Sequence, residues 1–178
     1  MRLCMTVEPR NKVGPSHHTP SDLTTFGHLP LVGGGSLPYL TPMIGPLNHV
    51  GIAVPDIHAA ITFYRDTLGA TDITAPRDLP AQGVTFAFVN LPSGQVELIT
   101  PLGESSPVTR FLERNPKGGQ HHICFEVPDI HAAVAEMEDK GMRVLNAPRT
   151  GAHGTPVVFL HPGDAGGVLI ELMESHPT

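Results

Sequence analysis

The sequence predicts an α+β fold made of two tandem βαβββ modules. Three observations carry this reading. The heptapeptide VPDIHAA at 54–60 recurs letter for letter at 127–133. The likeness spreads outward: NHVGIAVPD pairs with HHICFEVPD, DTLGA with EDKGM, and QVELIT with VLIELME. A chain this short does not repeat seven residues by chance, so one supersecondary unit occurs twice. Finally, each copy opens on an alternating run and passes through Pro-Asp into a stretch of helical period.

The elements follow in order. Residues 47–54 alternate as a strand, with Val50, Ile52 and Val54 facing a helix and His49, Gly51 and Ala53 facing the other way. Asp56 suits a helix N-cap, Ile57, Ala60, Ile61, Tyr64 and Leu68 form an apolar stripe, and Gly69 ends the helix. Strands are expected at about 70–75, 83–90 and 94–100, then a short connecting helix near 107–114. The second copy repeats this grammar. Residues 121–127 bury Ile123, Phe125 and Val127 and turn His122, Cys124 and Glu126 the other way. Asp129 caps a helix whose stripe is Ile130, Ala133, Val134 and Met137, Gly141 ends it, and strands follow at about 142–146, 156–160 and 167–173. The modules span about 45–104 and 118–176 within a domain of 45–176. Residues 1–44 are crowded with Pro, Gly, Ser and Thr and show no sustained apolar period. They read as a disordered or loosely packed tail, neither a secretory signal nor an organelle presequence, and Met43 could serve as a translation start.

Composition narrows the function. Lys plus Arg is 11 against 17 Asp plus Glu, a net charge of -6 with no basic run, which argues against nucleic acid. No stretch approaches the roughly 20 apolar residues of a membrane span. Cys4 and Cys124 are the only cysteines, so no disulfide framework or Cys-rich zinc site is available and a reducing, cytosol-like compartment is the default. Eleven histidines invite a search for metal or acid–base sites.

That search finds a symmetric set. His49 and His122 occupy equivalent places in the first strands, each followed on its own face by a small residue. Glu97 and Glu171 occupy equivalent places in the last strands, facing away from Val96 and Leu98 and from Val168, Ile170 and Leu172. If the modules pair through these faces, two imidazoles and two carboxylates converge, a donor set suited to Co, Ni, Mn, Fe or Zn that leaves positions open on an octahedral ion. The other histidines are set apart. His17, His18 and His28 lie in the tail, His58 and His131 sit in first helical turns as surface residues, and His121 precedes its neighbour on the wrong face. His153, in the loop GAHG, could reach a ligand.

The segments LNHVGIAVPDI, FYRDTLGA, FVNLPSGQVELITPLGESSPVTRFL, GGQHHICFEVPDI and GAHGTPVVFLHPGDAGGVLIEL together resemble the vicinal-oxygen-chelate (glyoxalase-like) superfamily, and within it the methylmalonyl-CoA epimerase family. The resemblance covers about 47–174. It implies a curved mixed sheet around a metal site, one divalent ion (Co, or Ni, Mn or Zn) held by His49, Glu97, His122 and Glu171, and interconversion of the C2 epimers of methylmalonyl-CoA. It also implies an acyl-CoA substrate and a homodimer. Some members carry a catalytic Glu where this chain has Phe86, so the second base must come from elsewhere.

Epimerisation requires a base on one face of C2 and an acid on the other, and a pseudo-twofold site supplies such a pair, here assigned to Glu97 and Glu171. Arg149 and Lys117 are candidates for contacting CoA phosphates. Competing readings are a glyoxalase I-type lyase, an extradiol dioxygenase, and a non-catalytic ligand-sequestering protein. Glu97 disfavours the dioxygenase, whose two-His, one-carboxylate triad leaves that position open. The intact quartet counts against simple sequestration.

Overall fold

The computed structural model describes residues 43–176. The expected tail, with His17, His18 and His28, lies outside the described residues apart from Met43 and Ile44. Met43 packs against the core of the second module. Among the described residues no helix is long and apolar enough to cross a membrane.

One curled, mixed sheet of eight strands runs in the order β2-β3-β4-β1-β5-β8-β7-β6. The strands are β1 (Leu47–Ala53), β2 (Arg77–Leu79), β3 (Val84–Leu91), β4 (Gly94–Pro101), β5 (Gly119–Val127), β6 (Arg149–Thr150), β7 (Pro156–Leu160) and β8 (Leu169–Glu174). The helices are α1 (Ile57–Thr62), α2 (Thr109–Arg114) and α3 (Ile130–Asp139). β1 and β5, the opening strands of the modules, pair antiparallel at the centre. Each is flanked by the closing strand of its own module, β4 or β8, in parallel. Outward from the centre the two halves therefore repeat one order, and all four candidate ligands stand on the four adjacent central strands.

Local chemistry sets the helices where the pattern places them. The Asp56 carboxylate accepts from the His58 and Ala59 N–H groups, and Asp129 accepts from those of His131 and Ala132. His58 and His131 are exposed, as expected. Ile130, Ala133 and Met137 pack with Leu172 and Val158 on one side of the sheet, and Val134 joins them. Ile57, Ala60, Ile61 and Tyr64 do the same against Ala87, Val89 and Leu98. Leu68 departs from its expected place and is 60% exposed. Residues 63–67 form a π-turn, closed by Leu68 N–H donating to the Phe63 carbonyl. Its wider turn rotates Leu68 off the stripe that an unbroken α-helix would have given it.

The strands expected at 70–75 and 142–146 shrink to single bridges, Ile73 to Val89 and Val144 to Leu160. Pro76 and Pro148 follow them, and a proline cannot donate to a ladder. Side chains fill part of the gap: Thr74 Oγ1 accepts from Phe88 N–H, and Asn146 Oδ1 from Phe159 N–H. The short strands β2 and β6 then resume the edges. The faces also differ from expectation in depth. Val50, Ile123 and Phe125 are only half-buried, whereas His49, Gly51, Ala53, His122 and Cys124 are buried. The short helices cover the strand ends at Val54 and Val127, and the curl of the sheet encloses the histidine face.

Candidate metal centre

His49 Nε2 lies 3.2 Å from Glu171 Oε2 and 3.5 Å from Glu97 Oε2. His122 Nε2 lies 3.1 Å and 3.3 Å from the same two oxygens. The imidazole nitrogens, 73 residues apart in the chain, are separated by 3.1 Å. All four donor atoms fall within 4.8 Å of one another, and all four residues are buried. Donors about 2.1 Å from a first-row divalent ion stand roughly 3.0–3.4 Å apart along an octahedral or tetrahedral edge. The four expected residues thus fit a metal in donor type, number and spacing.

Register explains how four side chains share so small a volume. Gly51 pairs with Glu97 on one side and with His122 on the other. A Cβ at Gly51 would stand 2.0 Å from His122 Cε1, so the glycine is the space the imidazole occupies. Cys124 holds the equivalent place between His49 and Glu171. It is small and completely buried, and burial together with the nearby carboxylates pushes its thiol pKa up, which keeps it from competing as a thiolate.

Two further residues orient the imidazoles. Asn48 Nδ2 donates to Glu126 Oε1, which turns its Oδ1 toward His49 to accept from Nδ1–H at 2.9 Å. His121 Nδ1 stands 3.0 Å from His122 Nδ1. Burial, then the neighbouring His122, pushes His121 down to about 4, so it is uncharged and accepts. Each ligand therefore presents Nε2 to the centre. Asn48 and His121 are repeat-equivalent, and both sit where the β1–β5 ladder slips by one residue, without a cross-strand partner. A bulge of this kind breaks strict alternation. It brings His121, expected on the wrong face, into the site.

The electrostatics are those of two paired ions. Burial by itself would lower His49, but the hydrogen bonds it donates to Glu171 and Glu97 overcome it and raise the imidazole to about 9. The same balance raises His122 to about 8. Burial would raise Glu97, yet its bonds to His122 and His49 hold it down at about 2, and Glu171 is lowered likewise.

The quartet lies in the wall of a cavity of about 330 Å³ that Arg149, His121, His153 and Phe159 also line. His153 is drawn in rather than made a ligand. Its Nε2–H donates to Gln95 Oε1, and its ring stacks on His49 with centroids 5.4 Å apart. Among the described residues, Glu97 and Glu171 are the only carboxylates lining this cavity. Phe86, where the resemblance implies a catalytic Glu in some members, is buried against Phe88 and is not in the lining. Lys117 is exposed and outside the lining.

Residues 48–159 match the glyoxalase/bleomycin resistance protein/dioxygenase superfamily. The chain belongs to that superfamily. Within it, the chain is 57% identical over 132 residues to an ethylmalonyl-CoA/methylmalonyl-CoA epimerase of Cereibacter sphaeroides, covering 73% of this chain and 98% of the relative. A crystal structure of methylmalonyl-CoA epimerase from Mycobacterium tuberculosis superposes with a TM-score of 0.71 at 36% identity, covering 77% of this chain and 92% of that one. A methylmalonyl-CoA epimerase in complex with methylmalonyl-CoA and NH4+ gives a TM-score of 0.69 at 37% identity, over 74% and 95%. The superfamily fold, its paired modules and its curled mixed sheet are as the sequence predicts.

Proposed function

We infer that the chain is a methylmalonyl-CoA epimerase, a metal-dependent isomerase that interconverts the (2R) and (2S) forms by moving the C2 proton. The observation that carries this reading is the convergence of His49, Glu97, His122 and Glu171 in one cavity. The close similarity to epimerases along nearly the whole length of a relative supports it against the lyase and sequestration readings.

A divalent ion held by these four residues, cobalt first among Co, Ni, Mn and Zn, would supply Lewis-acid stabilisation of the enediolate charge. The protein's own groups do the rest. Asn48 and His121 hold the imidazoles with Nε2 inward. Glu97 and Glu171 face the cavity from opposite modules. The ionised one removes the proton from one face of C2, and the other, which enters the step protonated, gives its proton to the opposite face, so the configuration inverts and the two carboxylates end with their protonation states exchanged. The same reading takes residues 45–176 as the catalytic domain, 1–44 as a dispensable tail, and the protein as a homodimer in a reducing, cytosol-like compartment.

Proton exchange separates the two carboxylates. Glu97→Gln keeps an amide oxygen for the metal and loses the base, so epimerisation falls roughly 10²–10⁴-fold. The variant still exchanges the C2 proton of one epimer with deuterated water, through Glu171, and Glu171→Gln shows the complementary preference. Wild-type turnover of both epimers by Glu97→Gln would make Glu97 a ligand only and move the search to His153.

A further inference from the structure

Asn48 and His121 do the same work in the two modules, with one difference. Asn48 Oδ1 accepts from His49 Nδ1–H, and its amide nitrogen is used on Glu126. His121 Nδ1 stands 3.0 Å from His122 Nδ1. With His122 turned to the centre through Nε2, its own proton is on Nδ1. His121 Nδ1 must therefore accept, and the proton of His121 is on Nε2. That N–H has no protein partner among the described residues, and it is not sealed from solvent. Phe111 meets the ring edge-on with centroids 5.1 Å apart, which holds its plane. An Asn at 121 would orient His122 as Asn48 orients His49, so the second nitrogen of His121 is surplus to that task. Its place is specific. His121, Pro107 and Leu169 line both the metal cavity and a second cavity of about 520 Å³ between α2 and the loop before β8. Of these three shared residues only His121 is polar.

We propose that the second cavity takes the pantetheine arm of the acyl-CoA, and that His121 Nε2–H donates to the amide carbonyl nearest the thioester. The inference rests on the epimerase reading above. Continuity supports it first. An acyl group held at the quartet needs a path for the chain on its sulfur, and the wall shared by the two cavities provides one. Chemistry supports it next. Beyond the sulfur come two methylene groups and an N–H, and then the first acceptor of the arm, a neutral amide carbonyl. A neutral imidazole N–H open to a cavity is a matching donor, and the pair leaves neither group unsatisfied. The rest of the wall suits the remainder of the arm. Phe111 and Val168 offer apolar surface to its methylenes, and Arg114, exposed at the outer wall, has the sign of charge that the CoA phosphates need. Size supports it last, since about 520 Å³ falls within the roughly 300–1,000 Å³ of ligand sites.

Three short thioesters of methylmalonate isolate the carbonyl. The N-acetylcysteamine thioester keeps the whole amide, the 2-acetoxyethyl thioester keeps the carbonyl and loses the N–H, and the n-pentyl thioester has neither. KM and kcat are measured for each with wild-type protein and with His121→Asn, and metal content is measured beside them. The Asn keeps an acceptor for His122 Nδ1–H and loses the reach of Nε2. It is expected to raise KM for the amide and ester thioesters by roughly 2- to 13-fold, the range for a neutral hydrogen bond, and for the pentyl thioester by less than about twofold. A KM raised equally for all three would make His121 a support of His122 alone and overturn the proposal. A rise confined to the amide would assign the contact to the N–H and overturn it too, as would three unchanged constants. Should His121→Asn not fold, the Nε2–H resonance of His121 is followed in the zinc-loaded wild type. The amide and ester thioesters should move it downfield and the pentyl thioester should not, and a resonance that none of them moves overturns the proposal. Wild-type protein without turnover of methylmalonyl-CoA would instead defeat the epimerase reading itself.

Discussion

At the scale of single residues, the quartet is a buried ion cluster, and the metal proposed for it would have to replace protons. His49 and His122 are raised to about 9 and about 8 because each sits against two buried carboxylates, whereas Glu97 is already ionised above about 2. At neutral pH the metal-free centre therefore holds a proton on each imidazole, and an ion must displace both. The sign follows: affinity rises with pH, by about two logarithmic units per pH unit below 8, about one between 8 and 9, and not at all above about 9. Calorimetric titration with Co(II) at pH 7, in buffers of differing ionisation enthalpy, should register release of close to two protons. Release near zero would contradict this charge state. The quartet was legible in the sequence because a repeat superimposes equivalent residues without any knowledge of contacts. Asn48 and His121 were not, because alternation assigns them to the opposite face. Only the slip in the β1–β5 ladder turns them toward their neighbours.

At the scale of elements, the central strand pair determines whether the ligands can meet. Gly51 is small for a steric reason: a methyl group there would stand 2.0 Å from the His122 ring. Its backbone is not in the left-handed region, so Gly51→Ala should preserve the sheet while pushing the imidazole out of line. The expected result is an unchanged far-ultraviolet circular dichroism spectrum and a metal affinity weakened roughly 10–100-fold, as for other losses of ligand orientation. Unaltered affinity would show that His122 has room to move. The helices were readable from their caps and stripes, since Asp56 and Asp129 do what N-cap carboxylates do. The π-turn that exposes Leu68 was not, because the residues of 63–67 suit an α-helix equally well. Nor was the reduction of the second strands to bridges, although Pro76 and Pro148 marked the places where pairing stops.

At the scale of the whole molecule, duplication explains why one chain builds a site that needs two faces. Each module contributes one imidazole and one carboxylate, and antiparallel pairing of β1 with β5 brings the two sets together. The domain from residue 45 should be sufficient for this. Deleting 1–42 is expected to leave the melting temperature and turnover unchanged, and a large loss of thermal stability would show that the tail docks. The most direct test of the account measures metal content and epimerisation together, in wild-type protein and in His122→Ala. The account predicts one divalent ion per chain with turnover of methylmalonyl-CoA in the wild type, and loss of both in the variant. Full turnover by a metal-free preparation would contradict it.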